Sequence, residues 1–264
     1  MHYLREVFIV GQKIYVTCIL DEASAILTSS LCKLADLFNP ESRILCNIVI
    51  VGDPKQLPPY WPDINSSRFS VYDSTISVDC CQKYETILNI QYRMPLQINN
   101  FLNKLFYTDH NLECGKLDKG KSECIFWHHC NRTVEKNEND IILNTNIEEI
   151  EAILRFISSL RLNESSKYLI ITPYRDQKHK IFTLYPDLKD SVCTIDQAQG
   201  LEADYILLSL VKTFSTSFIT ENRACVAFSR AKKELHIFGN YTCSLKGKNL
   251  LVQHLQKESK LVED

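Results

Sequence analysis

The chain has 264 residues, 45% of them hydrophobic and 23% charged, with a formal net charge of −2. That length holds one large domain or two ordinary ones, and the balance is that of an average globular protein. Near-neutral charge excludes a nucleic-acid binder that acts by bulk basicity, although a local basic groove stays open. No apolar run approaches the length that spans a bilayer. Arg5, Glu6, Gln12 and Lys13 break up the first residues, which do not resemble a secretory signal. The eleven cysteines are odd in number and irregular in spacing, so no disulfide framework is expected. Reduced thiols in a cytoplasmic or nuclear protein fit best.

Residues 1–12 carry no decisive pattern. Residues 13–20, KIYVTCIL, read as a buried strand that runs straight into Asp21-Glu22-Ala23-Ser24. A hydrophobic strand ending in two carboxylates suits metal-assisted phosphoryl transfer: one holds magnesium, and the next orients or deprotonates an attacking water. The same stretch also reads as a helix start, with Asp21 as N-cap ahead of Leu27, Leu31 and Leu34. Residues 48–59, IVIVGDPKQLPP, then give a β-branched run that reads as a strand buried on both faces. Ligands of parallel sheets sit at the carboxyl ends of strands, which is where Asp53 and Gln56 fall.

Residues 65–84 show no period and read as loop. Gln91-Tyr92-Arg93 precede helical spacing at Ile98, Phe101, Leu102, Leu105 and Phe106, so the arginine fork could be offered to a phosphate. Residues 115–122, GKLDKGKS, match the letters of a phosphate loop. The mechanism needs a buried strand before it and a helix after it. Here a polar stretch precedes and the strand-like ECIFW follows, so this is read as a lysine- and glycine-rich loop, and the chain holds no credible Walker A loop. Cys124, His128, His129 and Cys130 are too close for an unstrained tetrahedral zinc site and read as an alternating strand.

Downstream, residues 147–160 form an amphipathic helix and 168–172 a buried strand closed by Pro173-Tyr174-Arg175. A helix over 176–182, strands over 191–195 and 205–211, a helix over 224–231 carrying Arg230, and a strand over 235–238 complete the order. Strands alternating with helices argue for an α/β fold with a mainly parallel sheet.

Six of these segments, in this order, resemble one family. They are Ile19 to Ala23, Gly52 to Pro59, Gln91 to Met94, Ile171 to Tyr174 with Gln177, TIDQAQGLEAD (194–204) and RACVAFSRA (223–231). The chain is similar to the superfamily-one RNA/DNA helicases of the Upf-like group, among them the nonsense-mediated-decay and senataxin-like enzymes. The resemblance implies a P-loop NTPase-like fold of two RecA-like domains, with ATP and magnesium between them and single-stranded RNA or DNA across their tops. It implies that Asp21 binds magnesium, Glu22 activates water and Gln56 senses the γ-phosphate. Arg93 and Arg230 would bridge phosphates, and Tyr92 would stack on the base. Asp53, Gly200 and Glu202 would complete the nucleotide set. Thr172, Pro173 and Tyr174 would lie by the nucleic acid.

There are departures. Pro95-Leu96 stand where the family usually has His-Pro, and Asn222-Arg223 and Cys225 where paired arginines and an asparagine are common. The family's phosphate loop should precede the acidic pair by well over a hundred residues, and only 20 residues stand there. The expectation is therefore a truncated first RecA-like domain over 1–86, a nearly complete second over 87–245 and a polar tail over 246–264. The phosphate loop would come from a second chain or a missing N-terminal region. Two functions stay open: part of an ATP-dependent helicase or translocase core, or a catalytically inactive paralogue or fragment that binds nucleic acid or protein.

Overall fold

A computed structural model of the chain describes residues 3–10, 13–36, 44–60, 74–77, 84–116, 122–131, 143–160, 167–212, 218–244 and 248–262. The chain divides into two compact units, Met1–Ile87 and Leu88–Asp264. Among the described residues no helix is long and apolar enough to cross a membrane.

In the first unit, β1 (Tyr3–Val10) and β2 (Lys13–Leu20) form an antiparallel hairpin, and β3 (Ile44–Ile50) pairs parallel to β2 after the helix α1 (Thr28–Asp36). The undecided first residues are thus a strand, and β2 is central in the order β1-β2-β3. Leu20, Ala23 and Ile26 are the buried centre, with Leu31, Leu34, Ile48 and Ile50 packed around them. The reading of 48–51 as buried on both faces is corrected here: Val49 and Val51 are 45% and 41% exposed. Ile48 and Ile50 pack on the α1 side, while β3 has no second neighbour among the described strands. Nor is Asp21 a helix cap. Glu22 caps a 3-10 turn, Ala23–Ala25, and α1 begins only at Thr28. Most of the 65–84 stretch lies outside the described residues; Thr75–Ser77 within it is a 3-10 turn.

The second unit opens with β4 (Ile90–Gln91), α2 (Leu96–Leu105) and β5 (Glu113–Cys114), where β4 and β5 pair in parallel. Then come β6 (Ile125–His129), α3 (Ile147–Ser159), β7 (Tyr168–Thr172), α4 (Arg175–Leu184) and β8 (Val192–Thr194). The chain continues through β9 (Ala203–Ser209), α5 (Glu221–Phe228), β10 (Ala231–Gly239), α6 (Tyr241–Ser244), α7 (Leu250–Glu258) and β11 (Lys260–Val262). Among the described residues these strands form a six-stranded sheet, ordered β11-β6-β10-β9-β7-β8, with every pair parallel.

That order fixes the layers. Parallel crossovers are right-handed, so connections that step opposite ways along the sheet put their helices on opposite faces. The chain steps one way through α3 and α4 and back through α5. Accordingly Ile150 and Ile153 of α3, Ile181 of α4, Ile170, Leu207 and Phe238 share one buried cluster. Phe101 of α2 meets Phe228 of α5, with ring centroids 5.9 Å apart. The strands β7 and β9 are neighbours whose following helices leave to opposite faces. Ligands of open parallel sheets sit at such a switch point, beyond the carboxyl ends of the strands.

Within the expected polar tail, the described residues 248–262 continue the fold: Asn249 caps α7 by accepting the Val252 N–H, Val252 and Leu255 are buried, and β11 extends the sheet beside β6. The helix expected to carry Arg230 ends at Phe228, so Arg230 lies in the link to β10.

Candidate nucleotide and nucleic-acid sites

In the first unit the two acidic motifs leave adjacent strands at the same end. Beyond the last β2–β3 pair, Leu20 with Ile50, the backbones stay bonded: the Val51 N–H donates to the Leu20 carbonyl (2.8 Å) and the Ala23 N–H to the Val51 carbonyl (2.9 Å). Gly52 follows from this closeness. A β-carbon on it would lie 2.9 Å from the Ser24 nitrogen and 3.0 Å from that of Ala23. Asp21 is exposed and Glu22 half-buried. Glu22 takes the left-handed conformation, φ 56, rare for a side-chain-bearing residue. The carboxylate of Asp53 organises its own turn. It accepts the Lys55 N–H (2.9 Å) and the Gln56 side-chain amide (3.2 Å), which holds the expected phosphate sensor in place.

In the second unit the remaining expected residues separate into two groups. The first lies at the amino ends of β9 and β10. The Gln91 side chain wraps the loop after β4, accepting the N–H groups of Arg93 (2.9 Å) and Met94 (2.7 Å) and donating to the Met94 carbonyl (3.1 Å). So held, Arg93 donates to Glu202 (2.7 Å) and to the Ser229 carbonyl (3.5 Å). Lys232 pairs with the other Glu202 oxygen. Hydrogen bonds from Lys232 and Arg93 hold the Glu202 carboxyl below its ordinary range. Just before it, Gly200 turns with φ 78, a conformation that favours glycine.

Arg230 differs from Arg93. It is 1% exposed, and its guanidinium donates to the Val226 carbonyl (3.0 Å), the Ser229 hydroxyl (2.8 Å) and the Leu201 carbonyl (3.4 Å). The two arginines meet at Ser229, but Arg93 is presented and Arg230 is a buried brace. Tyr92 is 68% exposed and its ring crosses Gly115, where a β-carbon would lie 2.5 Å from the ring. Gly115, the first letter of the phosphate-loop match, therefore follows β5 and makes room for a tyrosine. Residues 117–121 of that match lie outside the described residues. The strand β6, not a helix, follows Ser122. Cys124 and Cys130 flank β6, buried, with thiols pushed up to about 11 and about 12 by desolvation.

The second group sits at the switch point, roughly 20 Å along β9 from the first at ordinary strand rise. Of Thr172, Pro173 and Tyr174, the first two are buried. The Thr172 hydroxyl accepts the Tyr174 N–H (3.4 Å), so it shapes the turn. Tyr174 alone offers surface. Lys212 lies 5.4 Å above its ring, Phe218 is 5.8 Å away, and Arg223 stacks 3.9 Å over Phe218 while bonding both oxygens of Asp196 (2.8 and 3.2 Å). Sequence reasoning missed Lys212 and Lys232, which stand outside any quoted charge pattern, and gave Phe218 no role. The only signal for the two lysines was position: one ends a buried strand and the other follows Arg230.

A model of the AAA domain family matches residues 69–242, well over half of the chain. The chain belongs to the superfamily-one helicases of the Upf-like group. This helicase-family chain is 30% identical over 240 residues to the 5′–3′ DNA helicase ZGRF1 of Mus musculus, a match covering 82% of the chain and 13% of that protein. It is 29% identical over 220 residues to helicase sen1 of Schizosaccharomyces pombe, covering 73% and 13%. An uncharacterized ATP-dependent helicase of Methanocaldococcus jannaschii, MJ0104, is 28% identical over 215 residues, covering 73% and 32%. The chain thus spans between 13% and 32% of the length of these relatives.

Proposed function

We propose that this chain is part of an ATP-dependent RNA/DNA helicase or translocase core, which couples ATP hydrolysis to movement on single-stranded nucleic acid. One observation carries the nucleotide side. Asp21-Glu22 and the Asp53–Gln56 turn end two adjacent parallel strands whose backbones stay bonded beyond the sheet. The residues fit a magnesium nucleotide, since two carboxylates at one strand end are hard oxygen donors. When bound, that group supplies the transferable phosphoryl and a neutralising cation. Asp21 would hold the ion, Glu22 would orient water, and Gln56, steadied by Asp53, would contact the terminal phosphate. Arg93 would meet developing charge once a phosphate competes with Glu202 for its guanidinium. Gly200 shapes the turn that brings Glu202 to Arg93, and Tyr92 offers a face for a base.

On the nucleic-acid side, Tyr174 and Phe218 with Lys212 and Arg223 combine ring faces with cations, the chemistry that holds single strands without reading sequence. A second reading, a module that binds without turnover, is favoured by the flanks of the 115–122 match. They run from strand to strand, so among the described residues no phosphate cradle opens a helix there. On the first reading such a cradle would come from a preceding region or a partner chain.

Fluorescence anisotropy and ATPase assays on residues 1–264 test both sides. The chain should prefer single strands to duplex, and Tyr174→Ala should weaken binding about tenfold, as loss of one stacked base implies. Strand-stimulated ATP turnover should stay at background. Equal affinity for duplex and single strand would sink the binding proposal, and turnover abolished by Lys121→Ala would restore the 115–122 loop as a phosphate site.

A further inference from the structure

Val211 follows β9 at φ 59, a conformation that β-branched residues rarely adopt. Strained backbone of this kind persists where its surroundings over-determine it. The determinant here is Glu149, in the first turn of α3 and fully buried. Both its oxygens accept the Val211 N–H at 3.0 Å. One oxygen also accepts the Ser209 hydroxyl (2.6 Å), and the other the Asn146 amide (3.1 Å). Gln177 of α4 closes the knot. It donates to the Ser209 hydroxyl (3.0 Å) and the Asn146 carbonyl (3.1 Å), and accepts the Asn146 N–H (2.8 Å).

This knot ties together the end of β9 and the starts of α3 and α4. Those are the elements that place Lys212, the residue after Val211, and Tyr174, the residue before α4. An extended Val211 would turn the chain away and take Lys212 off the Tyr174 ring. We infer that Glu149 is a positioning residue for the single-strand surface, clamping the Val211 turn so that Lys212 is held over Tyr174. The inference rests on the reading that this surface takes a single strand.

A double-mutant cycle tests it, using the whole chain and a fluorescent single strand of about 15 nucleotides, near the upper range of such sites. Glu149→Gln and Lys212→Ala should each weaken binding about five- to tenfold, and the double variant should be no weaker than Lys212→Ala within about twofold. Losses that multiply would overturn the clamp. In a Val211→Gly background, where glycine takes the left-handed turn unaided, Glu149→Gln should cost less than about threefold. An undiminished loss there would mean that Glu149 acts only by general packing.

A measurement without variants guards against a Glu149→Gln chain that does not fold. Val211 amide exchange in the wild-type chain should slow at least about threefold when the strand binds, since ligand protects what it orders. Unchanged exchange would contradict the clamp. If the wild-type chain binds no strand, the functional reading falls and the inference with it. If it binds and Tyr174→Ala weakens it while Glu149→Gln does not, the clamp alone falls.

Discussion

Replacing Arg230 with alanine should strongly destabilise the second unit, whereas replacing Arg93 with alanine should leave its stability nearly unchanged. The two arginines look equivalent in a motif and are opposites in the structure. The Arg230 guanidinium is buried and bonded to Val226, Ser229 and Leu201. Truncation leaves a long cavity and stranded acceptors, at a cost of about 3–5 kcal/mol. That is a large share of the roughly 5–15 kcal/mol that keeps a domain folded. Arg93 is about a third exposed and bonded mainly to a carboxylate at the surface. Such pairs contribute about 0–1 kcal/mol. Urea denaturation of both variants checks this, and equal small shifts would refute the buried-brace role. Arg93→Ala is then the variant with which to probe chemistry, because a loss seen with Arg230→Ala reports folding first.

The second large effect is in pH. Burial pushes the Glu149 carboxyl up to about 8, against the hydrogen bonds from Ser209, Val211 and Asn146 that favour its charge, and the nearby Glu148 charge adds to the rise. The donors alone would suit an ionised carboxylate. The Ser209 hydroxyl serves both states, because it can donate to a carboxylate or accept from a carboxyl. The folded state therefore holds this proton more tightly than the unfolded chain, whose carboxyl titrates near its ordinary value. The stability tied to it is complete below about pH 4.5 and is lost as pH rises through about 8. A shift of this size corresponds to a few kcal/mol. Cys130, which faces Glu149 and is pushed up to about 12, does not titrate in that window. Melting temperature should fall between pH 5 and 8.5 in the wild-type chain, and the slope should flatten in Glu149→Gln. Parallel slopes would show that another group carries the dependence.

The sequence made the buried strands legible. KIYVTCIL, YLIIT and the run ending in Leu210 are largely apolar stretches with turn residues after them, and each is a strand with at least one parallel neighbour. Less was legible where composition hid the pattern. β1 mixes charged and apolar residues and finds its place only by pairing with β2. α7 and β11 sit in a lysine- and glutamate-rich stretch, yet Asn249 at the cap and apolar residues at 252 and 255 are enough to dock them. Asn146 and Glu149 stand at capping-box spacing, which foretells a helix start. It does not foretell that the Glu149 carboxylate reaches the end of β9, because that depends on sheet order. Sheet order also explains why Tyr174 and Arg93, both on expected site segments, lie at opposite ends of one sheet. A strand's direction in space is not written in its residues.

On the proposed function, the Tyr174–Lys212 surface holds a single strand. Photo-crosslinking of a bound single strand, with the attached residues mapped by mass spectrometry, tests this without any variant. Crosslinks are expected at Tyr174 and Phe218, beyond the carboxyl ends of β7 and β9, and should be lost on competition with unlabelled strand. Crosslinks confined to the far end of the sheet, or none at Tyr174 and Phe218 under saturating strand, would contradict it.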